Sequence, residues 1–229
     1  MVAEMKRLIV LFTLLLNVHL AGAQFGISGG LSTLKGFGTP KPYVGMHIGA
    51  EIPRDDQISF YGRASFYLKQ MQQFDPGQNQ LLVQAYDPTS PVQFQFITYD
   101  QSFNYTVLEG GNRYYIGEGY DSGFGAYGGG NASIIFNSVK RKYDWGTVSE
   151  ADYYLPSSEL PKGSVFNLGF GLEGGVKYTF SGLGTLYFDT GFSYLVIGYP
   201  SNATASSASV SMWTPLMFSF NFGFRKDLY

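Results

Sequence analysis

The segment VFNLGFGLEGGVKYTF, Val165 to Phe180, decides the fold. Its even positions are Phe166, Leu168, Phe170, Leu172, Gly174, Val176, Tyr178 and Phe180. Its odd positions are Val165, Asn167, Gly169, Gly171, Glu173, Gly175, Lys177 and Thr179. A period of two is that of a β-strand with one apolar and one polar face. The wet face of a soluble sheet carries many Lys and Glu. Here the polar face is small and nearly uncharged, while the opposite face is bulky and aromatic. That pairing predicts a barrel that is apolar outside and polar inside, standing in a lipid bilayer.

Working outward, seven more segments carry the same signal. They are Phe25–Thr33, Tyr43–Ile52, Ile58–Leu68, Phe103–Ile116, Phe124–Asn137, Thr185–Ile197 and Trp213–Arg225. The fourth of the eight in chain order is the least regular, and Gly110-Gly111 within it reads as a bulge or tight bend. Short links (Pro53 to Asp56, Gly117 to Gly123, Ser181 to Gly184) alternate with long ones. The expectation is therefore an all-β, closed antiparallel eight-stranded transmembrane β-barrel, with short periplasmic turns and long extracellular loops. Closure is obligatory, because an unpaired backbone N–H or C=O in hydrocarbon costs several kcal/mol. Val92 to Phe96 alternates too, so strands three and four are expected to run on as a hairpin beyond the membrane.

Composition agrees. Of 229 residues, 17% are aromatic and only 14% charged, against roughly 25–35% charged on the surface of a soluble domain. A net charge of −2 gives no reason to expect nucleic acid as a partner. Without cysteine there is no disulfide, thiolate metal site or Cys nucleophile. Lys6-Arg7, an apolar run from Leu8, and Ala21-Gly22-Ala23 read as a signal peptide over residues 1–23. Residues 24–229 then form the barrel, exported to the bacterial outer membrane.

The inward positions carry His47, Glu51, Arg63, Glu109, Arg113, Glu173, Lys177, Asp189 and Arg225. Four acids and four bases inside a barrel too narrow for a pore are expected to pair as a structural network. The frequent inward glycines, among them Gly49, Gly125, Gly171 and Gly175, leave room for long charged chains. Trp145, Trp213 and tyrosines near strand ends are expected to form interfacial belts.

Other motifs point to little chemistry. Gly169-x-Gly171-x-x-Gly174 matches a dinucleotide fingerprint by letter, but it lies inside a strand rather than between a strand and a helix. Asn104, Asn131 and Asn202 begin N-x-S/T triplets, and two of these fall in strands. His47 is the sole histidine after residue 23, so no imidazole pair is available for metal. A rim enzyme would need His47 beside a serine and an orienting group such as Glu51. No catalytic residue, metal or cofactor is expected.

The eight alternating strands, the Gln24 start and Gly111-Asn112-Arg113-Tyr114-Tyr115-Ile116 before a Gly-rich turn resemble small outer-membrane barrels of Bacteroidota, the PorT-like group. That resemblance implies an envelope role, with support of type IX secretion and gliding among the roles of relatives. The functional expectation is a non-enzymatic outer-membrane barrel acting through its loops (Gln70 to Tyr86, Asp144 to Pro161, Pro200 to Ser211) or lateral contacts. Its partners would be outer-membrane lipid and other envelope proteins. The alternatives are a narrow channel for small solutes, a lipid-modifying rim enzyme, or a soluble lipocalin-like binder.

Overall fold

Phe25 pairs with Leu228, and the ladder between these chain ends runs without a break to Gly36↔Met217. This pairing closes the sheet. A computed structural model describes residues 24–36, 41–72, 80–155, 162–200 and 216–228. The signal-peptide reading, Trp213 and the loop after Pro200 lie outside the described residues.

The strands are β1 (Phe25–Gly36), β2 (Tyr43–Pro53), β3 (Ile58–Tyr67), β4 (Gln70–Gln72), β5 (Gln80–Ala85), β6 (Phe94–Gly117), β7 (Gly123–Asp144), β8 (Tyr153–Tyr154), β9 (Lys162–Phe180), β10 (Gly184–Pro200) and β11 (Leu216–Leu228). Eight of them form the ring β3-β2-β1-β11-β10-β9-β7-β6, which closes through β3–β6. All its pairings are antiparallel.

The outer wall is apolar around the whole ring. Ile48 is 63% exposed, Ile116 73%, Phe170 62% and Leu172 68%. A soluble monomer keeps any apolar patch to a few hundred Å². A continuous belt is stable only against acyl chains, so the alternation seen in the sequence is a lipid-facing and a lumen-facing wall.

The short links are tight turns. In the β9–β10 link, Leu183 N–H donates to Phe180 C=O at 3.1 Å. Gly182 has φ +74°, the left-handed conformation a type II turn requires at its third position. In the β2–β3 link, Asp55 Oδ1 accepts from the N–H groups of Gln57 and Ile58 at 2.9 and 2.8 Å.

Two expectations need correction. Gly110-Gly111 is not a bulge: the β6–β7 register is the same on both sides of it, from Thr98↔Asp144 to Gly117↔Gly125. The two backbones instead come very close there, and a Cβ on Gly111 would lie 2.2 Å from Gly130 C=O. A register shift does occur in β10, between Leu195 and Ile197. Trp145 is not a membrane-belt residue. It follows a β7 of 22 residues, whereas a crossing takes about 9–11.

The expected extension of strands three and four is present beyond the ring, where β6 also stays paired with β7 up to Thr98↔Asp144. The chain after β3 returns as β4 and β5 to pair with β6, and β8 borders β5. The protruding sheet is therefore the continued hairpin of strands three and four, with the outer half of strand five paired to its other side. Ile97 and Val83 are buried within it. At its tip, Thr89 Oγ1–H and N–H donate to Asp87 Oδ1 at 2.7 and 2.8 Å, which holds that carboxyl below its ordinary range.

Candidate functional site

Period-two geometry sends alternate residues of each strand into one narrow lumen, and side chains fill it in three layers. The middle layer is ionic. Arg63 on β3 donates through Nη1 to Asp189 Oδ2 at 2.9 Å and through Nη2 to Glu173 Oε2 at 2.6 Å. Its Nε donates to Glu109 Oε1 at 2.7 Å, and Nη2 also contacts that oxygen. Arg113 on β6 reaches Glu173 Oε1 at 2.6 Å, Glu51 Oε2 at 2.8 Å and Asp189 Oδ2 at 3.2 Å. Its guanidinium lies 4.3 Å from the Tyr61 ring centroid and 4.7 Å from that of Tyr127. Arg225 on β11 donates to Glu51 Oε2 at 3.2 Å.

Neutral donors complete the carboxylates. Ser59 and Tyr115 hydroxyls both donate to Glu51 Oε1 at 2.5 Å. Asn221 Nδ2 donates to Asp189 Oδ1 at 2.6 Å, and Tyr127 OH to Asp189 Oδ2 at 3.1 Å. These contacts matter because a charge removed from water is tolerable only when opposite charge and hydrogen bonds replace its hydration.

His47 lies in the same polar layer. Ser32 Oγ donates to Asn221 Oδ1 at 2.6 Å and lies 2.8 Å from His47 Nδ1. Since that hydroxyl has only one proton, Nδ1–H donates to Ser32, and Nε2 accepts from Tyr187 OH at 2.6 Å in the neutral ring. Both ring nitrogens are thus engaged, and the residue is buried. Among the described residues, no group of three or more His, Cys, Asp or Glu side chains is arranged to hold a metal ion.

The periplasmic layer is aromatic. Tyr115, Tyr120 and Tyr127 form a buried cluster. Tyr120 belongs to the link between β6 and β7, which folds up under the lumen: its N–H donates to Asp56 C=O at 2.8 Å, and its OH to Asp227 Oδ1 at 3.0 Å. Arg225 Cζ stands 3.6 Å from its ring centroid. Arg225 Nε is 2.9 Å from Asp227 Oδ1 but poorly aligned for a hydrogen bond. Lys177 belongs to this layer too. Its Nζ donates to the carbonyls of Ser122 and Tyr120 at 2.5 and 3.3 Å, and to Thr179 Oγ1 at 3.2 Å. These partners are neutral oxygens, so Lys177 braces the link and does not pair with a carboxylate as the sequence suggested.

The extracellular layer is apolar. Leu34, Tyr43, Tyr67, Phe103, Tyr105, Val107, Ile135, Val139 and Met217 pack together above the ions, with Tyr43 and Tyr105 edge to face at 4.6 Å. Sequence reasoning missed this plug, although every member has lumen parity. Asn137 is buried in the same wall, and among the described residues neither its Oδ1 nor its Nδ2 has a hydrogen-bond partner. Next to the plug, a space of about 10 Å³ is lined by Glu109, Ser133, Tyr67 and Met217 among others, room for about one water molecule.

The nine residues expected to face inward do so, and eight of them meet in the ionic and His47 layer, with Lys177 apart. Asp227, Asn221, Ser32, Tyr61, Tyr115, Tyr120, Tyr127 and Tyr187 were not among them. Odd-position tyrosines on β3 and β6 were the available signal. Gly125 leaves room for a charged chain as expected, since a Cβ there would lie 3.0 Å from Lys177 Cε, but other inward glycines make room for tyrosines: a Cβ on Gly175 would lie 2.7 Å from Tyr127 Cζ, and one on Gly223 2.5 Å from Tyr187 OH.

The closed ring, its lipid-facing belt and its filled polar lumen define a bacterial outer-membrane β-barrel protein. No family model matches the sequence, and no curated protein matches it. Three similar solved structures are Neisserial surface protein A (12% identity, 89% of this chain and 96% of that one, TM-score 0.45), Ail, the attachment invasion locus protein of Yersinia pestis (13%, 89% and 99%, 0.41), and a major outer membrane protein from Thermus thermophilus (12%, 90% and 100%, 0.47). At such identities and TM-scores the likeness is one of general shape.

Proposed function

We propose that this protein is a plugged outer-membrane barrel that works through its extracellular sheet and lateral wall, as an accessory subunit of an envelope complex or a surface-binding protein. The observation that carries this reading is the three-layer filling of the lumen: apolar plug, ion network, tyrosine layer. A conducting path would have to break all three. The sheet of β4 to β8 with the outer halves of β6 and β7 is the natural contact surface. Phe94, Phe96, Leu82 and Tyr86 are exposed there, beyond the reach of the membrane. Support of secretion of the type IX kind, implied by the PorT-like resemblance, is one form such a role would take. A non-enzymatic role is favoured by His47, whose two nitrogens are occupied inside the lumen, away from any lipid substrate.

Single-channel recording on the purified barrel tests the plug. No steady conductance is expected, and a steady conductance would replace this reading with that of a narrow channel. Affinity capture from solubilised envelopes tests the contact surface. Wild-type barrel should retain a partner that a version lacking residues 80–100 loses; equal capture by both removes the extension from the function.

A further inference from the structure

The outer wall changes chemistry just above the apolar belt. On β7 the lipid-facing positions run from Phe124 to Phe136, which at about 3.3 Å per residue and a tilt of about 35–45° rises roughly 30 Å, the thickness of the hydrocarbon core. Phe136 packs against Phe166 on β9 with ring centroids 5.6 Å apart, marking the upper edge. Two rungs higher the ladder pairs Ser138↔Ser164, and two rungs beyond that Lys140↔Lys162. Lys142 follows on β7 opposite Asp100, and both Lys140 and Lys142 are exposed. Around the rest of the ring, Lys35 lies near the end of β1, Lys41 precedes β2 and Lys69 follows β3. At this level the described acids on the outer wall are Asp100 and, two rungs higher on the same face, Asp144. The periplasmic rim has the opposite bias: Asp55, Asp56, Glu118, Asp121 and Asp227 against Arg54 and Lys226.

We infer that this lysine collar binds phosphate monoesters on the headgroups of outer-leaflet glycolipid, most tightly at the Lys140 and Lys142 wall of β7. Three arguments converge. Height is the first: Lys140 lies four residues beyond Phe136, about 10 Å up the wall, within the headgroup zone that a snorkelling ammonium reaches. Like charge is the second: Lys140 and Lys142 stand two residues apart on one face of one strand, so their ammonium groups repel and gain from a shared anion. Leaflet asymmetry is the third: the basic collar is on the outer rim alone, so the attraction does not extend to the periplasmic leaflet.

The test uses the mature barrel in nanodiscs of zwitterionic phospholipid doped with bisphosphorylated or dephosphorylated lipid A. Lipid retained after a detergent wash is counted by mass spectrometry. Wild type should retain the bisphosphorylated form roughly ten-fold over the dephosphorylated one, an advantage that shrinks as NaCl is raised. The double variant Lys140→Ser, Lys142→Ser should lose most of that advantage, and Lys226→Ser on the opposite rim should keep it. Equal retention of the two lipids by wild type, or an unchanged advantage in the double variant, would overturn the assignment. Should the double variant not fold, the wild-type salt series decides: a phosphate preference that is flat with salt overturns it and one that falls supports it.

Discussion

Glu173 on β9 holds Arg113 on β6, past the intervening β7, at 2.6 Å, and its second oxygen takes Arg63 on β3 at the same distance. One carboxylate thus bridges two guanidiniums that would otherwise repel each other in a buried site. Glu173→Gln removes the charge and keeps the shape. Breaking a buried pair from one side costs about 3–5 kcal/mol. A loss near the lower end is expected, since both arginines keep Asp189. Urea unfolding from lipid vesicles would measure it. A change under about 1 kcal/mol would mean that the lumen is wet enough to screen these charges.

Phe170 and Asn167 lie three residues apart on β9 and face opposite ways, Phe170 62% exposed and Asn167 8%. Arg on the lipid face near the midplane costs about 2–4 kcal/mol. Phe170→Arg should therefore lower assembly sharply, read as heat-modifiable migration on a gel. Asn167→Ser should change stability by less than about 1 kcal/mol. Equal effects at the two positions would contradict the assigned facing.

Asn137, opposite Tyr105 beside the apolar plug, has both amide atoms buried and unpaired among the described residues. Leaving such a group unsatisfied costs about 1–3 kcal/mol. Asn137→Leu, close in volume, is expected to raise the urea midpoint. A lowered midpoint would instead identify a water that Asn137 shares with its neighbours.

Gly175 and Gly62 separate the two walls in the simplest way. A Cβ on Gly175 meets Phe188 C=O at 2.6 Å and the Tyr127 ring at 2.7 Å, whereas one on Gly62 has nothing within 4 Å. Gly175→Ala should destabilise by about 1–3 kcal/mol through overpacking. Gly62→Ala should be neutral or slightly stabilising. The same unfolding assay compares them, and a harmless Gly175→Ala would show that the tyrosine layer can yield.

Much of the architecture was legible locally. Facing follows from the strand period, so the alternation at Phe170 and Glu173 already assigns one to lipid and the other to the lumen. Closure follows from the cost of unpaired backbone in hydrocarbon, and the short links announce themselves through Gly182 and Asp55. The inward charges could be named for the same reason.

Partnership was not legible, because it depends on register summed around the ring. Arg63 on β3 and Asp189 on β10 share no ladder, yet they meet at 2.9 Å. Lys177, an inward base like the rest, is placed by strand height beside the carbonyls of the β6–β7 link and away from the carboxylates. Leu34, Tyr43 and Met217 look like ordinary strand-end residues and Tyr105 like an ordinary mid-strand one, and only closure of the wall brings them together as a plug. The sequence by itself determined which way each side chain points, since that is a property of one strand's backbone. The tertiary structure alone decided which side chains meet, since stagger between strands sets their height in the lumen.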